Sequence, residues 1–128
     1  MNLQYQKKET VVIIGASNKP DRYSYKAFLM LKEYDQNPLP VHPVLEQIDG
    51  CSVYHTLKEI AGQKIDTVTL YVNQVILKQY IDDIIMLKPS RVIMNPGAES
   101  DEAQMIFEQN GITVLRACTL VLLRTGQF

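Results

Sequence analysis

Residues 11–22 read VVIIGASNKPDR, a short apolar run that ends in glycine and is followed by a polar, basic loop. Four consecutive β-branched residues, 11–14, are typical of a strand buried on both faces, as in a parallel sheet. Glycine at the end of the strand allows a sharp turn and lets a ligand approach without meeting a Cβ. Backbone N–H groups in such a turn, and at the start of the next helix, can bind an anion. The stretch therefore predicts that the first strand-to-helix turn binds a phosphate-bearing ligand.

The rest of the chain alternates strand and helix patterns. We expect strands near residues 10–15, 39–44, 65–72, 91–94 and 112–115, with apolar stripes at helical spacing between most of them. A capping box, Thr56 to Glu59, opens a short helix, and residues 119–128 carry no assignable pattern. The alternation predicts one α/β domain, residues 1–128: a doubly wound parallel five-stranded sheet of order 3-2-1-4-5 with helices on both faces. The turns at Gly15 and Gly97, which follow the neighbouring first and fourth strands, would then face one crevice.

Composition and charge narrow the function classes. The 128 residues are 46% hydrophobic and carry a net charge of −1, so no global field favours nucleic acid or an anionic membrane. Residues 1–8 lack the apolar core of a signal peptide, and no apolar run is long enough to cross a bilayer. The two cysteines do not make a disulfide framework. The sequence predicts a cytoplasmic protein that binds a small molecule.

The loop after the first strand is basic. Lys19 and Arg22, with Lys26 one turn into the helix, suit a ligand with several phosphates, although such residues are often simply solvated. The turn has one glycine where the dinucleotide fingerprint has three, and it lacks the Gly-Lys-Ser/Thr of a P-loop. The end of the second strand, residues 41–43, supplies no acid for ribose hydroxyls. Nucleotide hydrolysis and NAD are therefore disfavoured.

No residue set predicts catalysis or a metal site. Cys118 could pair with His42 or His55, but a buried, inert thiol is the commoner role of a free cysteine. Cys51 and His55 are too few ligands for zinc. Ser17 lacks the second glycine of a nucleophile elbow. The residues favour a binding protein over an enzyme.

Several short motifs follow one another along the chain. They are Gly-Ala-Ser-x-x-Pro at 15–20, Tyr-Ser-Tyr at 23–25, Val-x-Pro at 41–43, Gly-x-x-x-Tyr at 50–54, Ile-Asp-x-Val at 65–68, Pro-Gly-Ala at 96–98 and Cys118. Over about residues 10–118 the sequence resembles the small single-domain CoA-binding proteins, which are similar to the CoA-binding domain of the succinyl-CoA synthetase α subunit. The resemblance implies a Rossmann-like domain that binds coenzyme A or an acyl-CoA and that catalyses no reaction alone.

The resemblance also implies where the ligand would lie. The pyrophosphate would rest on the turn at residues 15–17, the adenosine end would lie near His42 and Pro43, and the three basic residues would neutralise phosphate charge. The implied site comprises Gly15, Ala16, Ser17, Lys19, Arg22, Ser24, Tyr25, His42, Pro43, Asn95 and Gly97. His42 stands where the family commonly has Asn, and Asn95 stands where Gln is frequent.

Two other functions stay open on the sequence alone. A redox enzyme or sensor that binds NAD(P) would need a dimer partner to complete its site, because the chain has no second domain for a substrate. A protein-interaction domain with a vestigial nucleotide pocket would bind its partner independently of Gly15 and Arg22. A homodimer or a partner enzyme is compatible with the leading function, and the sequence fixes neither the acyl group nor the role of Cys118.

Overall fold

The computed structural model describes residues 7–128, so the signal-peptide expectation lies almost wholly outside the described residues. The strands are β1 (Thr10–Ile14), β2 (Asn37–Val41), β3 (Gln47–Ile48), β4 (Cys51–Ser52), β5 (Thr67–Leu70), β6 (Arg91–Met94) and β7 (Thr113–Arg116). The helices are α1 (Tyr23–Glu33), α2 (Gln74–Leu77), α3 (Ile81–Leu87), α4 (Asp101–Gln109) and α5 (Thr119–Arg124), and a 3₁₀ turn spans Leu57–Ile60. Among these residues no helix is long and apolar enough to cross a membrane.

Five strands form a parallel sheet of order β2-β1-β5-β6-β7, and β3 and β4 form a small antiparallel hairpin. The apolar residues of β1 alternate between two cores. Val12 and Ile14 face a core shared with α3 and α4, whereas Val11 and Ile13 face a core shared with α1 and α5. All four side chains are fully buried. The predicted fold class, a doubly wound parallel five-stranded sheet with helices on both faces, is therefore confirmed.

The neighbour relations differ from the expected ones in one respect. β5 pairs with both β1 and β6, so it lies between them. Counted over the five main strands in chain order, the sheet reads 2-1-3-4-5, and the first and fourth strands are not adjacent. The reversal of winding consequently falls between β1 and β5, and this is where ligands bind in sheets of this order.

Two prolines explain this order. Pro38 and Pro40 lie in β2, and a second neighbouring strand would find two N–H donors missing there. Instead, the carbonyl of Pro40 accepts a hydrogen bond from the N–H of Tyr54, and the N–H of His42 donates to the carbonyl of Tyr54, both at 2.9 Å. Tyr54 alone therefore pairs with the outer edge of β2. The third main strand, β5, pairs with β1 on the other side of the sheet. Right-handed crossovers can build either order, so handedness alone does not distinguish them.

Three local expectations have clear outcomes. The capping box is present, with the Glu59 carboxylate accepting from the N–H of Thr56 at 2.9 Å, but the element that it opens is a single 3₁₀ turn. The helical stripe after the third strand is divided into α2 and α3. The unassigned residues after 118 form α5, which buries Leu120, Leu122 and Leu123. Six residues span less than two helical turns, which is too short for a periodic signal.

Candidate ligand-binding site

An open cleft of about 880 Å³ lies over the C-terminal ends of β1, β2, β5 and β6. Its volume falls near the upper end of the range for small-molecule sites. The residues that line it are Gly15, Ala16, Ser17, Asn18, Lys19, Arg22, Tyr23, Ser24, His42, Pro43, Leu45, Tyr71, Val72, Asn73, Ile76, Gln79, Tyr80, Pro96, Gly97 and Ala98. Of the implied site residues, all except Tyr25 and Asn95 lie here; Lys26, the third basic residue expected near the phosphates, does not.

Gly15 is required by the protein's own packing. Its φ is +87°, and a Cβ at this position would lie 2.7 Å from the carbonyl oxygen of Tyr71 and 2.9 Å from Cγ1 of Val72. The expectation that the missing Cβ makes room for a ligand is therefore wrong, because that space belongs to the end of β5. The N–H of Ala16 donates to the carbonyl of Val41 at 3.2 Å. These two residues join the ends of β1, β2 and β5.

The amide donors begin one residue later in the turn. Within residues 7–128 the N–H groups of Ser17 and Asn18 have no acceptor, whereas the N–H of Lys19 donates to Oγ of Ser17 at 3.0 Å. Helix α1 starts a few residues further on, and the N–H groups of its first turn have no intrahelical acceptor. Its N-cap residue, Arg22, supplies no side-chain hydrogen bond, and its first turn contains no acid. Turn and helix start together present unpaired donors to the cleft.

Positive charge accompanies these donors. Lys19 and Arg22 line the cleft, are exposed, and take part in none of the ion pairs within residues 7–128. Lys26 does not line the cleft, and its Nζ lies 5.4 Å from the ring centroid of Tyr23, which does. An anion in this half of the cleft would therefore meet two free cations.

His42 is held in one orientation. Its Nδ1 accepts hydrogen bonds from the N–H groups of Val44 and Leu45, each at 3.0 Å. Because Nδ1 is an acceptor, the neutral ring carries its proton on Nε2. The oxygen of an asparagine side chain could accept the same two hydrogen bonds. Histidine can therefore replace asparagine here and still hold the loop that follows β2. The ring adds an Nε2–H donor at the end of β2.

Asn95 and Tyr25 lie away from the cleft. Asn95 is only 2% exposed; its Nδ2 donates to Oγ1 of Thr69 at 2.7 Å and to the carbonyl of Leu70 at 2.8 Å. Its Oδ1 accepts from the N–H of Thr119 at 2.9 Å. Asn95 thus ties the ends of β5 and β6 to the start of α5, beneath the cleft. Tyr25 packs against the core under α1.

The wall after β5 was missed by sequence reasoning, which placed the third strand at the sheet edge. Tyr71 lines this wall, but its hydroxyl is buried and has no hydrogen-bond partner among the described residues. Burial is the main cause that raises the pKa of Tyr71 to about 12; the nearby Cys118 thiol adds to this rise, and the hydroxyls of Thr119 and Thr69 oppose it. Asn73 caps α2 by accepting from the N–H of Ile76 at 2.9 Å. The two prolines of β2 could have indicated this wall, because they disfavour a strand outside β2 and so favour placing the third strand beside β1, next to the cleft.

The two glycine turns at the cleft differ electrostatically. The N–H of Gly97 donates to a carboxylate oxygen of Glu99 at 2.9 Å, so this amide is already paired with an anion. Helix α4, which follows, is capped by Ser100 and carries Asp101 and Glu102 in its first turn. In the part of the chain that the structure describes, no three His, Cys, Asp or Glu side chains converge on a possible metal site. The free donors and cations are concentrated on the β1–α1 side.

The sheet, its helices and the cleft over the strand ends are those of a Rossmann-like domain. A family model described as "CoA binding domain" matches residues 9–124. The chain therefore belongs to this CoA-binding domain family.

Individual proteins are similar to the chain over different lengths. The α subunit of the ADP-forming acetate–CoA ligase II of Pyrococcus furiosus is 36% identical over 70 residues, which are 54% of this chain and only 15% of the ligase subunit. The uncharacterized protein YneT of Bacillus subtilis is 24% identical over 86% of this chain and 81% of its own. The crystal structure of an uncharacterized protein superposes with a TM-score of 0.86 at 33% identity, covering 96% of this chain and all of that one (100%).

Proposed function

We propose that this protein binds coenzyme A or an acyl-CoA in the cleft. The observation that carries the proposal is the set of N–H groups in the turn and the first turn of α1 that have no acceptor within residues 7–128, flanked by Lys19 and Arg22, which form no ion pair there. Backbone amides at a helix N-terminus and a positive helix dipole are well suited to phosphate oxygens. Family membership supplies the ligand class.

The parts of the ligand would divide along the cleft. The pyrophosphate would bind the N–H groups of Ser17 and Asn18 and the first turn of α1, with Lys19 and Arg22 neutralising its charge. The adenosine end would lie near His42 and Pro43, where Nε2–H is a fixed donor. Asn95 would act from below, by holding the strand ends in place, rather than by touching the ligand.

We further propose that the domain has no catalytic activity of its own and works in the cytoplasm, alone or with a partner enzyme. The relative from Pyrococcus furiosus is a subunit of a ligase whose name includes CoA, and this chain corresponds to a small part of it. A chain that matches so small a part of the ligase subunit could share its binding of CoA without sharing the ligation reaction.

Ligand-dependent stability tests the proposal. We expect CoA or acetyl-CoA at 100 times its Kd to raise the free energy of unfolding by about 2.7 kcal/mol. NAD should have little effect, because the end of β2 offers no acid to its ribose hydroxyls, and NADP is included to test the redox alternative. Thermal unfolding with each nucleotide, followed by titration calorimetry, measures both effects.

A matched pair of variants locates the site. Arg22→Gln should weaken CoA binding about tenfold, since it removes one charge-assisted contact. Arg124→Gln, an exposed residue of α5 that does not line the cleft, should leave binding unchanged. Absence of any response to CoA thioesters or CoA would overturn the proposal, and a response confined to NADP would favour the redox alternative.

A further inference from the structure

The two edges of the parallel sheet differ in how they are protected. At one edge, β2 carries Pro38 and Pro40, and Tyr54 pairs with the outer side of the strand. At the other edge, β7 contains no proline, pairs with β6 residue for residue, and has no strand on its outer side within residues 7–128. Natural sheets protect their edges with prolines, bulges or covering segments, because an exposed strand can pair with another chain. In the described part of the chain, the edge at β7 has none of these three features.

The outer side of β7 presents backbone groups without partners. Thr113 and Ala117 each donate a backbone N–H to a carbonyl on the β6 side, at 3.3 and 3.2 Å. Alternate residues of a strand face opposite neighbours, so the N–H and C=O groups of Val114 and Arg116 point away from the sheet. Nothing within residues 7–128 forms a hydrogen bond with them on that side. An additional strand is the structure that would pair all of these groups.

A second copy of β7 fits this edge in an antiparallel register. With Leu115 on a two-fold axis, Val114 of one chain lies opposite Arg116 of the other, and the reverse holds by symmetry. Val114 and Arg116 are the residues whose backbone groups point outward, so each opposed pair would exchange both of its hydrogen bonds. The same strand therefore supplies both halves of a symmetric interface.

The charges beside β7 are complementary in this register. Nε of Arg116 donates to Oε1 of Gln104 at 2.7 Å, and the guanidinium also pairs with Asp101 at the start of α4. Gln104 in turn donates to Glu108, near the other end of α4, at 3.2 Å. Because α4 and β7 run in opposite directions, the two-fold axis would place Arg116 of one copy beside Glu108 of the other. Each guanidinium would then lie between two carboxylates, one from each chain.

We propose that the outer edge of β7 binds β7 of a second copy of this chain, in a symmetric homodimer with one continuous sheet. Met105, midway along α4 and 59% exposed, would meet Met105 of the second copy near the two-fold axis. The paired strands are short, so the dimer is weak and depends on concentration. The cleft lies over the ends of β1, β2, β5 and β6, so it stays open in both copies.

Sedimentation velocity over a concentration series up to millimolar tests the inference, and the wild type should shift from monomer to dimer. Val114→Pro removes an outward N–H and half of the interstrand hydrogen bonds, so it should weaken self-association at least about 30-fold. Val114→Thr keeps this N–H and should associate like the wild type. Both variants should bind CoA as the wild type does, because β7 does not line the cleft, and this separates the test from that of the proposed function.

A charge reversal on α4 gives a second test that leaves the strand unchanged. Glu108→Lys should weaken the dimer about fivefold at low salt, and less at high salt, because it turns an attraction to Arg116 into a repulsion. Glu33→Lys makes the same change at an exposed residue of α1, which packs beside β2 at the opposite edge, and should have no effect.

Amide hydrogen exchange locates the contact. Exchange at the N–H groups of Val114 and Arg116 should slow as the dimer forms. A wild type that stays monomeric at millimolar concentration overturns the inference. A dimer that both Val114→Pro and Glu108→Lys leave intact overturns it as well, since the copies would then meet elsewhere. Slow exchange of the same two amides in the monomer would show that the chain itself covers the edge, which also refutes the second copy as its occupant.

Discussion

Gly15→Ala and Gly97→Ala form a matched pair that isolates one contact. Both glycines line the cleft, with φ values of +87° and +92°. An alanine in a left-handed conformation costs about 1–2 kcal/mol at either position. At Gly15 the new Cβ would also lie 2.7 Å from the carbonyl oxygen of Tyr71, whereas nothing lies within 4 Å of it at Gly97. The difference between the variants therefore measures the clash alone.

The clash is hard to relieve because backbone, not a flexible side chain, is in the way. The N–H of Tyr71 donates to the carbonyl of Ile14 at 2.9 Å, and Asn95 holds the carbonyl of Leu70 at 2.8 Å. Making room would displace the end of β5, and such overpacking costs about 1–3 kcal/mol. We expect a loss of about 2–5 kcal/mol for Gly15→Ala and about 1–2 kcal/mol for Gly97→Ala.

Urea unfolding followed by circular dichroism measures both losses. Thermal unfolding should agree, since 1 kcal/mol shifts the Tm of a domain of this size by about 3–5 °C. Equal losses for the two variants would show that the Tyr71 carbonyl does not constrain position 15. The reasoning would also fail if Gly15→Ala were as stable as the wild type and lost only ligand binding, because ligand space would then be the reason for the glycine.

Two further predictions concern side chains of the cleft. His42→Ala should lower the free energy of unfolding by about 1–2 kcal/mol, because the N–H groups of Val44 and Leu45 lose their acceptor, whereas His42→Asn should cost less than about 1 kcal/mol. Equal urea midpoints for the two variants would contradict this role. Tyr71→Phe should change the free energy of unfolding by less than about 1 kcal/mol, since the buried hydroxyl makes no hydrogen bond of good geometry within residues 7–128. The pKa of Tyr71 is about 12 in the folded protein and 10.0 in the unfolded chain. Below pH 10 the hydroxyl is neutral in both states, and between pH 10 and about 12 it ionises only on unfolding, so the free energy of unfolding falls over that range. Tyr71→Phe should lose less over that range, and an ultraviolet absorbance titration should then lack the last tyrosine to ionise.

The sequence predicted the structure best where a local pattern has a single physical explanation. Four β-branched residues in succession predicted a strand buried on both faces, and residues 11–14 supply both cores of the domain. The motifs at residues 15–25 and 41–43 predicted where the cleft would lie. These are local properties, since strand burial and turn conformation depend on neighbouring residues in the chain.

Long-range pairing was less accessible. Asn95 follows a strand and precedes a glycine turn, and the family resemblance implied that it belongs to the ligand site. Its partners, Thr69, Leu70 and Thr119, are 24–26 residues away, and no local pattern marks a buried amide that ties three elements together. The strand order was accessible in principle, because Pro38 and Pro40 lack the N–H groups that a second full strand beside β2 would need.

A net charge of −1 is compatible with an anion site because the field in a cleft depends on local groups. At Gly97 the carboxylate of Glu99 already satisfies the amide, and a second anion would meet like charge. Within residues 7–128 the amides of Ser17 and Asn18 have no acceptor, and the neighbouring Lys19 and Arg22 form no ion pair. The fold thus offers two glycine turns at one cleft, but only the first is prepared for a phosphate.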